Sequence, residues 1–304
     1  DGGNVHISNQ GLQVSLTGSN SVNVSNQITN YSTSSDISNV VTAVNNKAVA
    51  IAAGMCKGAP GVFWNLNLNY NGTFTSGSNA ITSGLIIQKG VWNASTKDID
   101  WTNNPISQTF ETYDNSGATY SAATSHNISF DPTGQYGWIV VLGDITADGD
   151  SVNDPIFWHT TDGGNTWNGP IFVDLDSIQG VRDLLRPTLT NGASATRNPT
   201  TAFDDDLSVD VNGNPHLLTV IGSGEAYSIQ DAGYHVWDIT FDANAIAGCN
   251  WKGIHLADIN TLRGTFSSDN PAQTCDNRPL VSRSDDGNKL FFFWTESDAA
   301  FLQS

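Results

Sequence analysis

Glutamate is nearly missing from this sequence: Glu111, Glu225 and Glu296 are the only three in 304 residues. Lysine and arginine together number 12, and methionine occurs once. These are strong helix formers, so their scarcity argues against a mainly helical architecture. The 12 cations face 30 acidic residues, which gives a formal net charge of −18. A nucleic-acid partner requires a basic footprint for its phosphates, and this charge excludes one. The same charge disfavours docking on anionic lipid. No apolar run approaches the ~20 residues of a membrane-spanning helix, so no transmembrane segment is expected. Cysteine is sparse too: Cys56, Cys249 and Cys275, with no pair at metal-ligand spacing. Cys249 and Cys275 would close a short disulfide loop in an oxidising compartment, leaving Cys56 over. Three free buried thiols are the alternative. Neither Gly-x-Ser-x-Gly nor His-Glu-x-x-His occurs, and the six histidines are scattered. One of them, His216, lies in a strand-like apolar run and is expected as a packed residue rather than a ligand.

What remains is rich in Asn, Asp, Gly, Ser and Thr, with 29 glycines. These residues favour tight turns, which suits many short strands joined by loops. A chain of 304 residues is long enough to bury a sizeable core. It begins at Asp1 without an initiator Met or a signal peptide, as a processed secreted protein or a trimmed chain would. Residues 1–39 are Ser- and Asn-rich, yet Val5–Ile7 and Leu12–Leu16 alternate like strands, so a β segment is expected there rather than disorder.

One turn has a specific form. Thr160-Thr161-Asp162-Gly163-Gly164-Asn165-Thr166-Trp167 lies between the apolar runs Pro155–Trp158 and Ile171–Val173, and so reads as a β-hairpin loop. Asp162 can accept bonds from backbone N–H groups further round the turn. Gly163 and Gly164 can take positive φ, and Trp167 can pack beneath the loop. This stretch resembles the Asp-box, or BNR repeat, of sialidases and other β-propellers. The resemblance implies that Thr160, Asp162, Gly164, Thr166 and Trp167 form a structural turn between the third and fourth strands of a propeller blade, with no part in catalysis.

A second pattern repeats. Residues 40–54, 128–143, 207–222 and 280–294 each read as a short strand, an Asn/Asp/Gly turn and a near-continuous apolar strand. The copies begin roughly 75–90 residues apart. A third strand then ends near Trp92, Trp158 or Trp237, and a fourth begins near Trp101, Trp167 or Trp251. The turns between them fall at 94–98, in the Asp-box, and at 242–244. Each unit is therefore four antiparallel strands, which is one blade. The expected fold is an all-β propeller of four-stranded antiparallel blades, spanning 40–304 after the segment 1–39. The blades cover about 40–115, 125–175, 205–258 and an incomplete 280–304. A sheet cut at Ser304 would expose an unpaired edge, so the chain is expected to continue and the ring to be incomplete.

The propeller resemblance places ligands on the face formed by the loops between second and third strands and between blades. The candidates there are Trp64 and Tyr70 in the stretch 54–84, Glu225 and Tyr227 in 222–233, and Arg182 and Arg186 in 174–205. Asp144, Asp148, Asp150, Asn153 and Asp154 crowd one short loop, and such oxygen donors can bind Ca²⁺. The spacing is not that of an EF-hand, and a solvated acidic turn is the competing reading. Sialidases carry an aromatic-Arg-Ile-Pro motif, three substrate arginines, a Tyr nucleophile backed by Glu, and an Asp acid/base. The nearest match here is Leu185-Arg186-Pro187, which lacks the aromatic and the Ile, and the chain has only six arginines.

The expectation is thus a non-catalytic binding or adhesion module, secreted or on the outer cell surface, that engages an extracellular protein or glycan. A sialidase-like glycoside hydrolase, with part of its site beyond Ser304, is the alternative. The Asp/Gly hairpins, Asn-rich loops and low Lys content resemble exported surface proteins of Gram-negative bacteria that use the type IX secretion route. Asp150-Ser151-Val152 and Asp176-Ser177-Ile178 match the short pattern that such bacteria O-glycosylate.

Overall fold

The computed structural model describes residues 4–8, 11–15, 21–23, 55–59, 61–70, 81–96, 98–115, 117–146, 148–185, 198–225, 227–229, 234–241, 251–259, 264–265, 274–275 and 277–296. The chain divides into two compact units, residues 1–121 and 122–304. Both are built of antiparallel β-sheets, so the protein is all-β. Among the described residues no helix is long and apolar enough to cross a membrane.

The first unit holds three sheets. Strands β1 (Asn4–Ser8), β2 (Gly11–Ser15) and β3 (Ser21–Asn23) form a meander in the Ser/Asn-rich segment. Strands β4 (Met55–Lys57), β5 (Val62–Tyr70), β6 (Thr82–Asn93) and β7 (Asp98–Ser107) pair in chain order. Strands β8 (Thr112–Asn115) and β9 (Ala118–Ser121) form a hairpin. The turn expected at 94–98 joins β6 to β7, where the Asn93 side-chain oxygen accepts from Ser95 N at 3.0 Å and Thr96 N at 3.3 Å. The hairpin expected at 40–54 lies outside the described residues.

Strand β5 corrects one expectation, because its residues had read as part of a long loop. Trp64, Leu66 and Leu68 alternate with Asn65, Asn67 and Asn69, and all six are buried. Alternation puts the asparagines on one face and the apolar residues on the other. Asn65 donates to Gln88 on β6 at 2.8 Å, so an amide pair replaces the apolar contact that strand patterning normally shows.

The second unit begins with a four-stranded meander: β10 (Ala123–Phe130), β11 (Gly137–Gly143), β12 (Asp154–Thr160) and β13 (Asn168–Phe172). A 3-10 turn (Leu175–Ser177) and the short helix α1 (Gln179–Leu185) follow. The next sheet has the order β14 (Asn198–Val209), β15 (Pro215–Glu225), β17 (Tyr234–Phe241), β18 (Trp251–Ile259). Within it β16 (Ser228–Ile229) turns back on the end of β15. Strand β19 (Gly264–Thr265) pairs with β20 (Thr274–Cys275), and β21 (Leu280–Arg283) with β22 (Leu290–Phe293).

The strand period of two decides how these sheets pack. On β15, Leu217 and Ile221 point to one face and join Trp138, Val140 and Leu142 of β11, Phe157 of β12, and Val181 of α1. Leu218 and Val220 point to the other face and join Val281, with Leu290 and Phe292 against them. The central sheet is therefore buried on both faces, which explains its unbroken apolar run. Each such fully buried aliphatic side chain contributes about 1.5–3 kcal/mol.

The Asp/Gly turns of the three hairpins lie together. Asp131 accepts from Gln135 N and Tyr136 N, both at 2.9 Å. Asp210 accepts from Asn212 N and Asn214 N, both at 2.8 Å. Trp138 Nε1 donates to Gly213 O at 2.8 Å, which links the first turn's sheet to the second turn. Val211 N donates to Gly287 O at 3.3 Å, which links the second to the third. The Arg283 guanidinium donates to Phe130 O and, at 3.1 Å, to Val209 O. Gly287 has φ 73°, and a Cβ there would lie 2.7 Å from Pro132 Cγ and 3.0 Å from Val211 Cβ. The leading strands also touch: Asn127 Nδ2 donates to Asp205 O at 2.9 Å, and Val281 N to Asp206 Oδ2 at 2.9 Å.

His216 sits at the base of the second turn. Its Nδ1 lies 2.9 Å from Asp238 Oδ2, and its Nε2 lies 3.8 Å from Asp210 Oδ2. Burial alone would lower its pKa, but the two carboxylates outweigh burial and push it up to about 9. It is packed, as expected for a strand residue, but as a cation between two acids.

Candidate functional site

The turn at residues 160–167 supplies a reference point. Asp162 Oδ1 accepts from Thr160 Oγ1 at 2.8 Å, Asn165 N at 3.0 Å and Thr166 N at 2.9 Å. Asp162 Oδ2 accepts from Thr166 Oγ1 at 2.7 Å, and Gly164 N donates to Thr160 Oγ1 at 2.9 Å. The Thr166 N–H, with its neighbours, holds the Asp162 carboxyl down at about 2. Gly163 and Gly164 have φ of 68° and 76°. Trp167 meets Phe130 edge-on at 5.9 Å between ring centroids. Every polar atom of the Asp162 side chain is thus committed to building the loop.

The other end of these strands carries the polar cluster. The connection from β11 to β12 holds Asp144, Asn153 and Asp154 buried, Asp150 half-buried and Asp148 exposed. Asp144 Oδ1 accepts from Thr146 N at 2.8 Å and Thr146 Oγ1 at 2.9 Å, while its Oδ2 accepts from Tyr227 Oη at 3.0 Å. Tyr227 N donates to Ser151 O at 2.7 Å, and Asn153 Nδ2 donates to Tyr227 O at 3.3 Å. Ser151 and Tyr227 both take positive φ, 54° and 59°. Such values are uncommon away from glycine and mark a backbone held by its surroundings.

Strand β14 closes the cluster from the next sheet. Asn198 Nδ2 donates to Asp150 Oδ2 at 3.3 Å. Thr200 Oγ1 accepts from Asn153 N at 2.9 Å, and Thr201 Oγ1 donates to Asn153 O at 2.9 Å. Asp154 Oδ1 accepts from Leu175 N at 3.1 Å. Burial, with the Asp148 and Asp144 charges, pushes Asp150 up to about 6. Burial raises Asp154 well above the usual carboxylate range, aided by the charges of Asp174, Asp150 and Asp144. The N–H of Asp150 holds Asp148 below that range. Acids with split affinities beside a tyrosine hydroxyl can hold and release protons near neutral pH, or welcome a polar ligand.

The structure therefore gathers Asp144, Asp150, Asn153 and Asp154 in one cluster, in which Asp144 and Asn153 bond Tyr227, with Glu225 exposed at the adjoining end of β15. Among the described residues, no three acidic side chains of this loop each bring a carboxylate oxygen within 4.8 Å of the other two. Asp144 and Asp154 instead spend their oxygens on N–H and O–H donors. Trp64 is buried in β5 of the first unit, with Lys89 Nζ 5.1 Å from its ring centre, and so offers no stacking surface. Tyr70 ends the same strand. Arg182 is exposed on α1, 3.9 Å from Asp183. Arg186 and Cys249 lie outside the described residues, and Cys275 lies on β20. Ser177 is exposed, whereas Ser151 is half-buried within the cluster.

Sequence reasoning missed Asn198, Thr200 and Thr201. They reach the cluster across roughly 50 residues of chain, and nothing local marks them. Comparison with protein-family models and with curated proteins gives no match for this chain.

Proposed function

We propose that this chain is part of a β-propeller, secreted or displayed on the outer cell surface. It binds an extracellular protein or glycan, without catalysis, through the end that carries Asp144–Asp154 and Tyr227. One observation carries the reading. The connections that follow the second strands of two successive sheets meet at one end, where Tyr227 Oη bonds Asp144 Oδ2 at 3.0 Å and Tyr227 N bonds Ser151 O at 2.7 Å. Consecutive four-stranded meanders with touching leading strands support blades, and the Asp162 loop fits the Asp-box turn between third and fourth strands. Export by the type IX route accords with the composition. The ligand end is polar and acidic, which favours hydroxyl-rich or basic partners over anionic ones.

The hydrolase reading draws on the same Tyr227–Asp144 contact, because a tyrosine beside an acid can act as a nucleophile. The full chain should be tested on a glycan array, on a panel of extracellular proteins and in a sialoside-cleavage assay. Saturable binding without turnover, weakened at least about tenfold by Tyr227→Ala and Asp144→Asn, supports the binding module. Turnover abolished by Tyr227→Phe replaces it with the hydrolase. Neither binding nor turnover overturns both.

A further inference from the structure

Three donors meet at the outer edge of the central sheet of the second unit. His235 Nδ1 lies 2.7 Å from Asp258 Oδ1, and His255 Nε2 lies 2.9 Å from the same oxygen. Among the described residues this is the only group of three His, Cys, Asp or Glu side chains whose donor atoms all lie within 4.8 Å of one another. His235 is on β17, and His255 and Asp258 are on β18.

A register irregularity assembles the group. His235 pairs directly with Asp258, and Val236 with Ala257, but Trp237 pairs with His255. Leu256 is therefore an extra residue on β18, a β-bulge. In a regular strand, residues three apart face opposite sides of the sheet. The extra residue reverses the alternation, so His255 and Asp258 share a face with the cross-strand His235. The His235 and His255 rings lie 5.4 Å apart, and His255 lies 5.0 Å from the Trp237 ring.

The geometry points to a surface site for a borderline divalent transition metal of the Zn²⁺, Cu²⁺ or Ni²⁺ class, held by His235, His255 and Asp258. Two imidazoles and one carboxylate are the donor types these ions prefer, and three protein ligands leave further positions for water. Hard cations such as Ca²⁺ want six or more oxygens, which this group does not offer. Bonds of ~2.0–2.2 Å place tetrahedral donors roughly 3.3–3.6 Å apart, so the metal replaces the two imidazole–carboxylate hydrogen bonds with a small opening of the group. His255 and Asp258 are exposed, with side-chain accessibilities of 37% and 75%, so an ion reaches them from solvent.

The untagged full chain should be titrated with ZnCl₂ by calorimetry in a non-coordinating buffer, and with CuCl₂ while tryptophan fluorescence is followed. The expected result is one saturable Zn²⁺ site, with partial Cu²⁺ quenching through Trp237. His255→Ala and Asp258→Asn should each weaken both signals by more than the roughly 10–100-fold that outer-shell partners alone are worth. Both positions are exposed, and an unchanged circular dichroism spectrum certifies the fold. Asp148→Asn, on the acidic connection, should leave binding intact, and excess Ca²⁺ should not displace Zn²⁺. Absence of a saturable site, binding untouched by His255→Ala, or an equal loss in Asp148→Asn overturns the assignment.

Discussion

His216 makes the stability of this protein depend on alkaline pH. Its ring lies between the Asp238 and Asp210 carboxylates, with side chains only 15%, 3% and 15% accessible. A rise from the ordinary value near 6.5 to about 9 is worth about 3 kcal/mol. The folded state holds its proton more tightly than the unfolded chain does. The contribution is therefore complete below pH ~6.5 and disappears as pH climbs through about 9. His216→Gln removes the cation and leaves Asp238 buried, a loss in the range of roughly 3–5 kcal/mol known for broken buried pairs. Urea unfolding, followed by tryptophan fluorescence at pH 6, 7, 8 and 9.5, compares the two proteins. The wild type should exceed the variant by about 3 kcal/mol at pH 6 and converge on it near pH 9.5. Resonances of the His216 ring should titrate near pH 9. A stability gap that ignores pH, or a ring that titrates near 6.5, would refute the reasoning.

Three further outcomes follow from the packing and turns. Asp162→Asn should be less stable than the wild type above pH ~4 and approach it in acid, because a carboxyl held at about 2 stabilises the fold above pH ~4 and loses that effect as pH falls through 2. Urea midpoints of the two proteins compared at pH 7, 4 and 2.5 read the closing gap. Gly287→Ala should cost about 1–2 kcal/mol in backbone strain, and more from the crowding of Pro132 and Val211, read as a lower urea midpoint. Leu217→Ala, in the core shared by the two sheets, should cost about 2–5 kcal/mol in the same assay.

The hairpins were legible because an Asp or Ser opening a turn and a glycine closing it are local signals, and the structure forms them at 131–136, 210–214 and 284–289. Trp158, Trp167 and Trp251 marked where third strands end and fourth strands begin, each within two residues of the observed bound, whereas Trp237 falls in the middle of β17, which runs on to Phe241. Strand β5 was illegible because Asn65, Asn67 and Asn69 imitate loop composition while facing a buried amide layer. The acidic cluster was readable as far as its own loop and Tyr227, but its β14 partners come from a distant segment. The His235–His255–Asp258 group depends on a one-residue bulge, which periodicity arguments cannot place.

Arg283 gives the second unit a way to lose its structure all at once. A protein made of stacked repeats can shed them singly from an end, since each leans mainly on its neighbour. Here one guanidinium from the hairpin at 280–293 grips carbonyls belonging to both preceding sheets, at Phe130 and Val209. Peeling that hairpin away withdraws one donor from main-chain oxygens in two separate sheets. Amide hydrogens beside Phe130 and Val209 should therefore exchange at one common rate in the wild type, and at rates that drift apart once Arg283 is replaced by Met.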